Sequence, residues 1–123
     1  MKRTPFGTFG GKLAGLTATE LGGIASKAAL QTLPKQPEID SIIFGNVLQT
    51  SPDAAYLSRH VGHRVGAPIS TPALTINRLC GSGFQAVMNG VHEIRLGEAN
   101  IVLAGGTENM SQAPYALRNV RYF

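Results

Sequence analysis

The 123-residue sequence predicts an α/β fold in which helices cover a parallel β-sheet. Stretches with apolar residues at helical spacing alternate along the chain with short runs rich in β-branched and other apolar residues. Many of these segments end at glycine or proline, and the chain contains 15 Gly and 7 Pro. Because the helices between the strands act as crossovers, we expect successive strands to run parallel.

The first predicted helix follows a glycine-rich loop over residues 1–16. Thr17 and Glu20 match a capping box, which marks a helix start. The apolar residues that share one predicted face of this helix are Ala18, Leu21, Ile24, Ala25 and Ala28. The run DSIIFGNV that comes next predicts a buried strand.

Two more pairs of helix and strand are predicted. Ser51-Pro52-Asp53 opens the second helix, because proline suits a first helical turn, and Pro72–Asn77 is the second strand. The third helix has apolar residues at helical spacing, with Ser82 and Gln85 as another candidate capping box. Ala99–Ala104 is the third strand, ahead of a glycine pair.

Composition argues against several classes of function. A single cysteine excludes an internal disulfide and a zinc site built from several thiolates. The net charge is +4, but the basic residues are scattered, which disfavours nucleic-acid binding. No apolar stretch approaches the roughly 20 residues of a membrane span. His60 and His63 have no third ligand nearby in sequence, so a metal site is disfavoured.

Cys80 stands between the predicted second strand and third helix. Ligands of open α/β sheets bind beyond the carboxyl ends of the strands, and the N–H groups at a helix start stabilise a nearby thiolate. Gly81 and Gly83 leave room for a substrate carbonyl. Cys80 is therefore a candidate nucleophile; the alternative is a small buried apolar residue. Arg78 either favours the thiolate or forms a surface ion pair.

Four segments resemble the thiolase family. NRLCGSGFQA is similar to the nucleophile segment, and GGTENMSQAPY to the signature GG-x-E-x-M-S-x-A-P; KRTPFG and GNVLQ also match in order and spacing. The resemblance implies a three-layer thiolase-like fold, represented by its N-terminal domain with an incomplete mixed sheet. Three parallel strands would be present in the order second, first, third. The resemblance also implies a homo-oligomer formed through the edge strand Ala73–Asn77, which fits the tendency of bare edges to pair.

The resemblance also implies a reaction and a site. Thiolytic cleavage of a 3-ketoacyl-CoA, or the reverse condensation, would pass through a thioester on Cys80. Gly81, Ser82 and Gly83 would support the oxyanion at the helix start, and Glu108 and Met110 would lie close behind the site. Acyl-CoA thioesters and coenzyme A would be the substrates, with no further cofactor and no metal. The family relationship implies a location in the mitochondrial matrix, although no targeting segment is readable.

Residues 1–123 are expected to form only part of a thiolase N-terminal domain. By the resemblance, the first strand, the CoA-binding loop region and the C-terminal domain with its catalytic base are absent. We therefore expect the chain alone to be weakly stable and inactive. The alternative is a non-catalytic truncated product that only associates with thiolase subunits. Ketoacyl-carrier-protein synthases, which have a cysteine at the same junction, lack this set of motifs and are disfavoured.

Overall fold

The computed structural model describes residues 1–121, so the last two residues of the predicted domain lie outside it. Helices and strands alternate as predicted. Their bounds are α1 (Ala18–Leu30), β1 (Ser41–Gly45), α2 (Leu57–Arg64), β2 (Ala73–Ile76), α3 (Ser82–Arg95) and β3 (Val102–Gly106). Short 3-10 turns cover Ala54–Tyr56, directly before α2, and Met110–Gln112.

The three strands form one parallel sheet in the order β2-β1-β3, which confirms the predicted strand order. Strand β1 is central and all five of its residues are buried, as its apolar sequence predicts. In the register, Phe44 pairs with Thr75 of β2 and with Gly105 of β3. The carboxyl ends of the three strands therefore lie along one edge of the sheet.

Helices cover both faces of the sheet, so the three-layer prediction is confirmed. Helices α1 and α2 pack against each other on one face, and α3 packs across β1 and β3 on the other. The main apolar core lies under α2. Its buried members are Ala18, Ile39, Ile42, Phe44, Leu57, Val61 and Val65.

The capping box of α1 forms as predicted, and the predicted apolar face is fully buried only at Ala18 and Leu21. The N–H of Glu20 donates to Thr17 Oγ1 at 3.1 Å, and the N–H of Thr17 donates to Glu20 Oε2 at 2.8 Å. Ile24 is 52% exposed, whereas Gly22 and Ser26 are buried. The reason is close packing: a Cβ on Gly22 would lie 3.1 Å from Val61. An apolar pattern does not detect a face built from glycine and serine.

The third strand begins three residues later than the sequence predicts. Asp40 Oδ2 accepts hydrogen bonds from the N–H groups of Asn100 and Ile101 at 2.8 and 2.9 Å. These bonds hold the chain in a turn, so regular pairing starts only at Val102. The glycine pair that was expected to follow the strand forms its last two residues instead.

No helix within residues 1–121 combines the length and apolar character that crossing a lipid bilayer requires.

Candidate functional site

Cys80 lies in a tight turn between β2 and α3, and its side chain is exposed. The residue before it, Leu79, has a φ of 50°, a left-handed conformation that is uncommon for residues other than glycine. Asn77 Oδ1 accepts a hydrogen bond from the N–H of Leu79 at 2.9 Å. The Ser82 hydroxyl closes the turn from the other side, since it donates to the Leu79 carbonyl at 2.6 Å and accepts from the N–H of Arg78 at 2.8 Å.

The amide groups around the thiol are not equally available. The N–H groups of Gly81 and Ser82 donate to the carbonyls of Arg78 and Leu79, at 3.1 and 3.0 Å. Within residues 1–121, the N–H of Cys80 has no hydrogen-bond acceptor. Among the three successive amides of residues 80–82, that of Cys80 is therefore the one without an acceptor in the turn.

The predicted capping box at the start of α3 is wrong. Gly81 is the N-cap residue, and no side chain caps the helix there. The hydroxyl of Ser82 is used by the turn, and Gln85 Nε2 donates to Asn89 at 2.7 Å. The first turn of α3, two residues after Cys80, thus keeps its amides uncovered by a cap side chain.

Glycines let the start of α3 lie directly on the sheet. A Cβ on Gly45 would come within 2.5 Å of the Ser82 carbonyl carbon and 2.7 Å of the Gly83 nitrogen. A Cβ on Gly106 would lie 3.1 Å from the Gly83 Cα. The last residues of β1 and β3 therefore determine how closely the turn that carries Cys80 approaches the sheet. Sequence reasoning treated these two glycines only as strand ends.

The Arg78 side chain follows the first turn of α3. Its Nη1 donates to Gln85 Oε1 at 2.6 Å. Within the part of the chain that the structure describes, Arg78 takes part in no ion pair. A surface ion pair, one of the two roles that the sequence left open for Arg78, is therefore not formed here.

Glu108 and Met110, both predicted to lie behind the site, differ in their surroundings. The Glu108 carboxylate accepts hydrogen bonds from Asn46 Nδ2 and from the N–H of Val47, both at 2.9 Å. It thereby fixes the turn that follows β1. Met110 lies in a 3-10 turn with 63% of its surface exposed. Only Glu108 has contacts that organise neighbouring elements.

Asn109 is a structural residue that sequence reasoning missed. It is 7% exposed, and its Nδ2 donates to the carbonyls of Ala14 and Leu16 in the N-terminal loop. Its Oδ1 accepts from the N–H of Ser111 at 3.0 Å. Asn109 therefore ties the loop before α1 to the segment after β3. Its only signal in the sequence is a polar residue closely following a strand that ends in glycine.

A shallow depression of about 180 Å³ opens between the carboxyl ends of β1 and β2. Residues that line it include Asn46, Val47, Thr75 and Asn77. A second depression, of about 230 Å³, lies at the opposite edge of the sheet beside Asp40 and Glu98. Cys80 lines neither of them. The thiol is exposed outside both depressions.

One of the two histidines of α2 is hydrogen-bonded to a nearby acidic side chain. His60 Nδ1 lies 3.0 Å from Asp53 Oδ2, and Asp53 also accepts from the Ser51 hydroxyl at 2.6 Å. The bonds from Ser51 and then His60 lower the pKa of Asp53. Among residues 1–121, no three histidine, cysteine or acidic side chains converge as a metal site would need.

Comparisons with known proteins identify the family. The family described as "Thiolase, N-terminal domain" matches residues 1–122. The human mitochondrial 3-ketoacyl-CoA thiolase is 64% identical over 122 residues, which cover 98% of this chain and 31% of the human protein. The chain thus spans about a third of the length of such relatives.

Solved structures agree with this match. The crystal structure of the human mitochondrial 3-ketoacyl-CoA thiolase in complex with CoA superposes with a TM-score of 0.96 at 63% identity, over 99% of this chain and 31% of the human one. The Bacillus anthracis acetyl-CoA acetyltransferase gives a TM-score of 0.90 at 38% identity, over 98% of this chain and 31% of its own. The chain belongs to the thiolase family, in the region that forms the N-terminal domain of its members.

Proposed function

We propose that this chain carries the nucleophile of a thiolase-type acyltransferase, and that Cys80 is that nucleophile. The observation that supports the proposal best is the exposed thiol in a tight turn, directly before α3 and at the carboxyl edge of the sheet. Ligands of open α/β sheets bind at this edge. Membership of the thiolase family supplies the class of reaction.

The proposed reaction has two steps. The Cys80 thiolate forms a bond to the 3-keto carbon of a 3-ketoacyl-CoA. The bond between this carbon and carbon 2, on the CoA side, then breaks. The electron pair leaves with the two-carbon unit, which takes up a proton and departs as acetyl-CoA. Free CoA then attacks the thioester, releases the shortened acyl-CoA and restores the thiol. The reverse condensation uses the same intermediate.

The geometry of the turn suits the charge that develops on the carbonyl oxygen. The free N–H of Cys80 is the donor that we assign to this oxyanion. Gly81 and Ser82 hold the turn through their own amides, and the backbone of Gly83 lies against the glycines that end β1 and β3. Glu108 supports the neighbouring turn. That Met110 lies behind the site stays a prediction, and its contacts give no argument for a role there.

Coenzyme A and its acyl thioesters are the substrates that we propose. The similar human thiolase has been crystallised in complex with CoA, and the similar human and rat thiolases are named as mitochondrial proteins. We extend both properties to this protein, with no cofactor in addition to CoA.

We also propose that the 123-residue chain is inactive alone. Within residues 1–121, no histidine makes a hydrogen bond to the thiol, and His60 is paired with Asp53 instead. A cysteine without a neighbouring base is only partly ionised at neutral pH, and no neighbouring group takes up or returns the protons of the reaction. By analogy with the family, that base, the first strand and the CoA-binding loop region lie outside these residues, which form part of the N-terminal domain.

A labelling experiment tests the assignment of Cys80. The folded chain and the same chain unfolded in urea are treated with iodoacetamide, and separately with an acyl-CoA, at one pH. We expect Cys80 in the folded chain to react about tenfold faster, because amide dipoles stabilise the thiolate. Equal iodoacetamide rates in the folded and the unfolded chain would contradict the assignment. A thiolysis assay on the same chain should give no turnover, and turnover typical of enzymes would refute the proposed inactivity.

The exposed edge strand β2 is the feature that favours the alternative function, a non-catalytic chain that associates with thiolase subunits. The strand is paired on one side only, and Leu74 is 48% exposed. Edge strands of this kind pair with further chains. We propose a homo-oligomer formed through the predicted segment Ala73–Asn77, of which the structure assigns Ala73–Ile76 to the strand. A non-catalytic partner of thiolase subunits would use the same edge without acylation of Cys80. Sedimentation that gives a soluble monomer would count against both.

A further inference from the structure

We propose that Glu108 is a positioning residue for Cys80, and that it acts through the turn that follows β1. The inference rests on the proposed function, because it takes Cys80 as the reacting thiol. Glu108 is half-buried and follows β3, whereas Cys80 follows β2, so the two residues belong to strands separated by β1. A chain of hydrogen bonds joins them.

The first link is the carboxylate itself. Its two oxygens accept from Asn46 Nδ2 and from the backbone N–H groups of Val47 and Leu48, at 2.9, 2.9 and 3.3 Å. Asn46 Nδ2 also donates to the Thr107 carbonyl at 3.0 Å. Bonds to an ionised acceptor are stronger than those between neutral groups. The turn after β1 is therefore attached to the residues after β3 by charge-assisted bonds.

The second link joins this turn to the end of β2. The N–H of Asn46 donates to the Ile76 carbonyl at 3.1 Å, and Asn77 Nδ2 donates to the Val47 carbonyl at 3.4 Å. The second bond is long and correspondingly weak. Together these bonds fix Ile76 and Asn77, where the chain leaves the sheet toward Cys80.

The third link reaches the residue next to the thiol. Asn77 Oδ1 accepts from the N–H of Leu79, which holds the left-handed conformation with φ of 50°. A conformation of this kind costs a branched residue free energy and persists only where neighbours enforce it. Since Leu79 directly precedes Cys80, the direction of the thiol and of its free N–H depends on Asn77, and through Asn77 on Glu108.

The test compares Glu108→Gln with the matched control Glu98→Gln in the 123-residue chain. Within residues 1–121 the Glu98 side chain makes no hydrogen bond, and it lies at the opposite edge of the sheet. Two quantities are measured: the iodoacetamide rate of Cys80 relative to the same chain in urea, and the NMR signals of the Leu79 and Cys80 amides. We expect Glu108→Gln to shift both amide signals and to lower the rate ratio about three- to tenfold, the size of the net contribution of one ordinary hydrogen bond. Glu98→Gln should change neither.

Asn77→Asp separates positioning from general support of the fold. It keeps the acceptor for the N–H of Leu79 and removes the donor to Val47. When Asn77→Asp is already present, Glu108→Gln should have a smaller further effect on the Leu79 and Cys80 amides. The reason is that one of the two hydrogen bonds between the turn after β1 and the end of β2 is then already missing. An undiminished effect would overturn the proposed route.

The inference is overturned if Glu108→Gln lowers only the urea midpoint of unfolding and leaves the Leu79 and Cys80 amides unchanged in the folded chain. Failure of the proposed function has a different signature. There, wild-type Cys80 would react with iodoacetamide no faster than in urea. The two amide signals still decide the role of Glu108 in that case, since a shift on Glu108→Gln supports positioning whatever the chemistry of the thiol.

Discussion

Gly45 is the residue on which the placement of Cys80 depends most. It ends β1 beneath the first turn of α3, where the nearest atoms to a hypothetical Cβ belong to the backbone of Ser82 and Gly83. Backbone atoms cannot rotate out of the way as a flexible side chain does. Any larger residue must therefore move α3 and, with it, the turn that carries the thiol.

We predict that Gly45→Ala destabilises the chain by about 3 kcal/mol, the upper part of the range for overpacking. Gly83→Ala is the matched control, because its Cβ would lie 3.9 Å from Gly106 Cα, an ordinary contact. Alanine favours a helix over glycine by about 1 kcal/mol, so Gly83→Ala should leave stability unchanged or raise it. Urea unfolding followed by circular dichroism measures both variants. Equal midpoints for the two would show that α3 does not rest on β1 at Gly45.

At the scale of elements, α3 has one face on the sheet and one face without a cover in this chain. Ser82, Ala86 and Gly90 face the sheet and are buried. The apolar residues at helical spacing on another side of the helix, Phe84, Val87, Val91 and Ile94, are half-buried or exposed. Glycine and alanine allow the close approach to the strands, while the large side chains point elsewhere.

We predict that Val87→Lys with Ile94→Lys reduces self-association of the chain. The two side chains are 49% and 48% exposed, so their replacement should change the free energy of unfolding by no more than about 0.5 kcal/mol each. Ala86→Lys is the control. Ala86 is fully buried, so a lysine there must separate α3 from the sheet and destabilise the fold. Light scattering gives the degree of association. Unfolding of the double variant would mean that this face packs within the chain after all.

The elements show what sequence patterns detect. The capping box at Thr17 and Glu20 fixed the start of α1 correctly, since it depends on residues adjacent in the chain. The strand order came from the family resemblance and is confirmed. The buried face of α1 was predicted only in part: Ala18 and Leu21 are buried as expected, whereas Gly22 and Ser26 are buried without an apolar signal in the sequence. The capping box at Ser82 failed for a different reason: the turn just before α3 uses the hydroxyl, which bonds to Leu79 and Arg78.

The candidate site was predictable in part. The position of Cys80 at the start of α3 followed from local pattern, and the structure places it exposed at that junction. Its role as nucleophile stays a prediction. The contacts of Glu108 could not be read from the sequence, because its partners lie 60 to 62 residues away along the chain. Such contacts exist only once the parallel sheet has brought the ends of β1 and β3 together.

At the scale of the whole molecule, carboxylates hold separate segments together. Asp40 joins the start of β1 to the turn before β3, and Glu20 caps α1. The backbone hydrogen bonds from Asn100 and then Ile101 lower the pKa of Asp40, and the backbone and side-chain bonds from Thr17 lower the pKa of Glu20. Because these bonds favour the ionised form, each group stabilises the fold only while it is charged.

We predict that acid unfolds the chain partly through Asp40. The pKa of Asp40 is lowered in the folded state. Its stabilising effect is therefore complete above the pKa of an aspartate in the unfolded chain, about 3.9, and is lost as the pH falls through the lower pKa of the folded state. Asp40→Asn should therefore lower the urea midpoint at pH 7 and make the decline toward pH 3 shallower than in the wild type. Glu98→Gln, at the same edge of the sheet, should leave the curve unchanged. Parallel curves for Asp40→Asn and the wild type would mean that the bonds to Asn100 and Ile101 add no stability to the ionised form.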